Sequence, residues 1–199
     1  MQPAYYENFD EIIKKIWLML NDAVTNRSSQ FRIHVFICGI QNDFDGRIVV
    51  LRKSDQDNNL IQFHSDIRSD KIEKLKSNNR ASLIFYDKEE KIQVRTKVEC
   101  TVNHKNEITE QSWLKTAHIS RKCYLVDNGP GTESDEPTSG LKPEKDNFDY
   151  TMEESEKGYE NFTVIQCKIK SFEWLYLAAK GHRRARFDLE NDKRVWLVP

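Results

Sequence analysis

No apolar run in this chain approaches the length that spans a bilayer. The opening Met1-Gln2-Pro3-Ala4-Tyr5-Tyr6-Glu7 lacks the basic-then-apolar order of a secretory leader. A soluble, cytoplasmic protein with no membrane partner is expected. Cysteine is sparse and scattered. Cys38, Cys100, Cys123 and Cys167 show no C-x-x-C spacing, which argues against a disulfide framework or a zinc ribbon. The histidines, at 34, 64, 104, 118 and 182, form no spaced cluster, so no metal is expected. An excess of one charge is also missing. With 31 basic and 32 acidic side chains the net charge is −1, unlike a general nucleic-acid binder.

Glycine and proline are scarce, at 7 and 5 of 199 residues, and they are unevenly spread. Four of the glycines and three of the prolines fall between Asp127 and Gly158. The same window carries ten acidic residues against three lysines. Gly129-Pro130-Gly131 through Pro137 can sustain neither a helix nor a central strand. Residues 127–158 therefore read as a long, mobile insertion in a single domain spanning 1–199. Without it the chain is mildly basic, which suits an anionic small ligand.

What is plentiful is strand pattern. Ile12, Ile13, Ile16, Trp17, Leu20 and Val24 lie at helical spacing and predict a helix over 8–24. Beyond it, β-branched and aromatic runs predict strands at 31–40, 47–52, 59–64, 81–86, 91–102, 162–177, 185–189 and the closing 194–198. Residues 41–46 read as a turn, Asp66 or Ser69 can cap a helix running to Ser77, and 109–117 reads as a third helix. The expected class is mainly β (α+β), a six- to seven-stranded antiparallel barrel with flanking helices.

Four stretches carry chemistry. His182-Arg183-Arg184-Ala185-Arg186 sets three arginines and a histidine after an aromatic strand; it is either a solvated edge or a site for a planar anion. Arg47 and Arg52 flank an apolar strand at odd spacing and point to opposite faces, unless both only snorkel into water. Phe63-His64-Ser65-Asp66-Ile67-Arg68-Ser69-Asp70-Lys71 runs from a strand end into a helix start, where free N–H groups favour phosphate; an ordinary capped surface helix is the alternative. Gln93 and Arg95 share one strand face.

In order and spacing, Arg47-Ile48-Val49-Val50-Leu51-Arg52, Phe63-His64 with Arg68 through Lys71, Asn79 through Phe85, Gln93-Val94-Arg95 and Arg184-Ala185-Arg186-Phe187 together resemble the pyridoxamine 5′-phosphate oxidase-related family. The resemblance runs over about 9–126 and 160–199. It implies an FMN-binding split barrel working as a homodimer, with the cofactor between subunits. Arg47 and Lys71, joined by Arg68 and Ser69, match the phosphate contacts. Val49, Val50, Leu51 and Arg52 match the strand whose backbone lies along the flavin, and Phe63 and His64 a second wall. Gln93 and Arg186 match polar contacts, with Tyr176 or Trp174 near the ring. On the substrate side, Arg52 and Arg121 fill basic roles, and His182 and Arg184 take the catalytic positions with altered residue types. Ala117 stands where the family has a tyrosine, and Asp70 where a basic residue is frequent. The implied activity is hydride transfer from a small amine or alcohol to FMN, with oxygen as acceptor. A flavin carrier or redox sensor without turnover is the alternative. The insertion is either a lid or an idle loop.

Overall fold

A computed structural model describes residues 4–40, 43–141 and 150–199. Helix α1 (Phe9–Thr25) is capped by Asn8, whose side chain accepts from the backbone N–H groups of Asp10 and Glu11. Its spacing pays off as a single buried stripe of Ile12, Ile16, Trp17, Leu20 and Ala23. Then come β1 (Ile33–Ile40), β2 (Asp43–Asp55), β3 (Leu60–Asp66), α2 (Asp70–Ser77), β4 (Arg80–Asp87) and β5 (Ile92–Asn103). Helices α3 (Glu107–Leu114), α4 (His118–Arg121) and α5 (Met152–Ser155) follow, and β6 (Phe162–Tyr176), β7 (Arg183–Asp188) and β8 (Lys193–Leu197) close the chain.

All strand pairings given by the described residues are antiparallel, in the order β3-β2-β1-β4-β5-β6-β7-β8. β6 makes the closure possible. Its first half pairs with β3, from Phe162 opposite Asp66 to Lys168 opposite Leu60. Its second half, from Ser171 onward, pairs with β7. Six strands thus form a closed barrel and two more extend from it. Alternation sends Phe36, Leu51, Phe63, Leu83, Phe85, Val94 and Ile165 inward, all buried.

Two expectations need correcting. Asp43–Gly46 belong to β2, with Asp45 opposite Cys38, because strand pairing to β1 overrides their turn composition. Gln41 and Asn42 lie outside the described residues. The expected six- to seven-stranded antiparallel barrel is found with six closed strands, and β7 and β8 continue the sheet past it. The end of the 127–158 window packs against the fold: Tyr150 and Ser155 are buried, and Gly158 sits against Tyr124 and Trp113. Residues 127–141 form no helix or strand, and 142–149 lie outside the described residues.

Candidate functional site

The turn from β3 into α2 gathers a cation cradle. Ser69 occupies the N-cap position of α2 yet makes no side-chain cap bond. Its hydroxyl instead accepts from Lys71 Nζ at 2.8 Å and from an Arg47 terminal nitrogen at 3.3 Å. Lys71 Nζ also donates to Ser65 Oγ at 2.7 Å. Lys71 is only 8 % exposed, and its contacts here are hydroxyls, not carboxylates. Burial, reinforced by the Arg47 charge, pushes its ammonium down to about 8. Arg47 leaves its Nε buried with no hydrogen-bond partner among the described residues. Its other nitrogens fork onto the Asp70 carboxylate at 2.9 and 3.3 Å and pair with Asp45. A buried ammonium held by hydroxyls, an orphaned guanidinium N–H and an uncapped helix start fit a phosphate monoester. Asp70 does not belong to that donor set.

A second surface runs across the outer sheet. Gln93, Leu175, Arg184 and Leu197 pair in one row, and Arg95, Glu173, Arg186 and Val195 in the next. Glu173 accepts from Arg184 at 3.0 and 2.5 Å and also pairs with Arg95. Burial alone would raise its carboxyl, but Arg184 and Arg95 hold it below the ordinary glutamate range. Arg186 is exposed. The His182 ring accepts from the Ala178 N–H at 3.0 Å through Nδ1, which fixes the β6–β7 turn. Where β2 and β3 meet α3, a cavity of about 480 Å³ is lined by Arg27, Arg52, Lys53 and Lys115 with Gln62, His64, Ser112 and Thr116, and by no carboxylate among the described residues. Burial, with help from Arg52, lowers the His64 imidazole to about 3, so it faces this cavity neutral.

Residues 15–104 match the family model described as pyridoxamine 5′-phosphate oxidase, FMN-binding domain. The match spans 90 of the 199 residues, a little under half of the chain. No curated protein matches the chain. Among solved structures, a pyridoxamine 5′-phosphate oxidase-related, FMN-binding protein from Nostoc punctiforme PCC 73102 superimposes with a TM-score of 0.71. It is 15% identical, and the match covers 100% of both chains. PhzG from Burkholderia lata 383, solved with tetrahydrophenazine-1-carboxylic acid, gives 0.70 at 16% identity, covering 100% of this chain and 98% of the other. ChuZ from Campylobacter jejuni gives 0.56 at 12%, covering 96% and 65%. At these identities the likenesses establish the split-barrel fold.

The FMN-binding segment contains the Arg47–Ser69–Lys71 cradle, and the structure brings these three expected residues together. Arg68 goes elsewhere. Its guanidinium holds Asp66 at 2.8 and 3.0 Å and the carbonyls of Val126 and Asp127. Val49, Leu51 and Phe63 point into the barrel core, so only their backbone is available to a ligand, whereas Val50 alternates outward. Arg52 and His64 meet in the polar cavity, apart from Arg47, as the odd spacing requires. Gln93, Arg184 and Arg186 share the outer face. Tyr176 and Trp174 lie on its reverse, against Tyr6 at 4.2 and 5.8 Å between ring centres. Leu175 takes the outer position. Arg121 is buried, spending its donors on the Trp113 and Thr116 carbonyls, Ser155 and Glu156. Ala117 lines the cavity. Ser65, Glu173, Gln62, Ser112 and Thr116 were not among the expected site residues. Ser65 alone had a sequence signal, two residues after Phe63 in the same motif.

Proposed function

We propose that this chain is an FMN-binding flavoprotein that oxidises a small anionic amine or alcohol. The observation that carries the reading is the buried Lys71, charged at neutral pH and held only by serine hydroxyls beside an orphaned Arg47 N–H. Asp70 and Asp66 attract this ammonium without pairing with it among the described residues, so its burial remains costly, and a phosphate there would relieve that cost. Lys71, Arg47 and Ser69 would hold the FMN phosphate, and Gln93 and Arg186 would offer polar contacts to the cofactor. Bound FMN supplies a hydride acceptor that oxygen can reoxidise to give hydrogen peroxide. The chain's own part is binding and orientation. Arg52, Arg27 and Lys115 would take the anionic group of the substrate, while neutral His64 and the Gln62 amide fix its orientation. The carboxylic acid seen on PhzG supports an anionic substrate in this fold.

The partner we propose is a second copy. Phe44, Ile48 and Ile33 are 72%, 63% and 57% exposed on the outer faces of β1 and β2, where Val35 pairs with Ile48 and Ile84. Exposed apolar side chains gathered on one sheet face suit burial against a partner. The free thiols suit a reducing compartment such as the cytoplasm. A second reading, flavin binding without turnover, is favoured by Glu173 neutralising Arg184 and Arg95 and by the internal use of Arg121. The test is an absorption spectrum of the purified protein with the released chromophore identified, followed by a peroxide assay on amines, alcohols and B6 vitamers. A colourless protein that takes up no added FMN refutes the flavin reading. FMN without peroxide favours the second.

A further inference from the structure

The same cradle carries a group that opposes a phosphate. Asp70, the first residue of α2, lays its carboxylate on the Arg47 guanidinium through two hydrogen bonds of 2.9 and 3.3 Å. Asp45 pairs with the same guanidinium from β2, and Asp43 pairs with Lys74 at 2.9 Å. The cations divide by depth. Lys71 is buried among Ser65 and Ser69, whereas Arg47 and Lys74 are already engaged by carboxylates nearer the surface. The Asp70 side chain is 60% exposed and so is free to swing into water. Its position is also favourable in the empty protein, because a carboxylate in the first turn complements the helix dipole. A phosphate dianion and the Asp70 carboxylate cannot both use the Arg47 fork without close like-charge contact.

We propose that Asp70 is an internal competitor for Arg47, occupying the phosphate-binding guanidinium in the empty protein and setting how tightly a phosphorylated flavin is held. This rests on the FMN reading above. The competition is with the phosphate alone, so it alters selection between FMN and riboflavin and leaves contacts to the ring system untouched. Asp45 contributes in the same sense.

The experiment is a fluorescence-quenching titration of the flavin-free protein with FMN and, separately, with riboflavin. It compares the parent with Asp70→Asn, Asp70→Ser and Asp45→Asn, each first checked for an unaltered thermal melt. Removing one competing charge from a charge-assisted pair is expected to lower the FMN Kd by about tenfold in the Asp70 variants. Riboflavin affinity should stay unchanged, so the FMN-to-riboflavin preference rises by the same factor. An FMN Kd equal to that of the parent overturns the proposal. Parallel tightening of FMN and riboflavin overturns it too, because Asp70 would then act through the fold and not on the phosphate. If neither flavin binds any of the proteins, the FMN reading itself fails and the competitor role falls with it.

Discussion

Replacing Lys71 by methionine should make the empty protein more stable while removing its hold on a phosphate. Burial lowers the ammonium from 10.5 to about 8. A group whose folded pKa lies below its unfolded value binds fewer protons when folded, so its burden is fully present below about pH 8 and is relieved as pH rises toward 10.5. The difference corresponds to about 3 kcal/mol at neutral pH. Methionine keeps the length and the apolar stem, but it removes one hydrogen bond from each serine hydroxyl, Ser65 keeping the Asp66 carbonyl and Ser69 keeping Arg47, at a cost of about 1 kcal/mol. The net expectation is a gain of about 2 kcal/mol, or roughly 4–8 °C in Tm for a chain of this size. Differential scanning fluorimetry of both flavin-free proteins at pH 7 and pH 10 measures it, and the gap should narrow at the higher pH as the parent sheds its proton. Added FMN should raise the parent's Tm and not the variant's. A Lys71→Met protein less stable than the parent at pH 7 would refute the reasoning, since Lys71 would then be a satisfied structural cation.

Three further outcomes follow from other parts of the fold. His34 is buried in the barrel, stacked on Phe85 at 4.4 Å, with neither ring nitrogen in a hydrogen bond of good geometry. Burial lowers it to about 4, only partly offset by the Arg32 and Phe31 carbonyls. The parent should therefore lose about 3 kcal/mol relative to His34→Phe as pH falls from 7 to 4, read by urea unfolding at both values; equal losses would remove His34 from the acid response. Arg121→Met should cost about 1–2 kcal/mol, because it removes the hydrogen bonds to the Trp113 and Thr116 carbonyls and to Glu156, while the Trp113 carbonyl keeps the Thr116 N–H and Glu156 keeps the Trp113 indole, yet leave the FMN Kd unchanged. A large loss of FMN affinity in a folded Arg121→Met protein would show that Arg121 does serve the ligand. Ile48→Asp should convert a dimer to a monomer in analytical ultracentrifugation; a parent that already sediments as a monomer would dismiss the interface.

Local pattern determined more of this protein than composition did. Alternation along Arg47–Arg52 and the strand-to-helix passage Phe63–Lys71 made the strands and the start of α2 legible, because side-chain direction in a strand and free N–H groups at a helix start follow from neighbours in sequence; that Arg47 would join Ser69 and Lys71 came only from the family resemblance. The same alternation separated Arg47 from Arg52. What the chain order could not reveal was which donors were already taken. Arg68, Arg121 and Arg184 are as basic as Arg47 on paper. Only the folded chain brings the Val126 and Asp127 carbonyls to the first, Glu156 to the second and Glu173 to the third. The register of Tyr176 likewise depended on which face of β6 packs on Tyr6, more than 160 residues earlier in the chain. Strand period and helix starts are written locally. The pairing of charges and the choice of a buried face belong to contacts between distant segments, and those exist only once the barrel has closed.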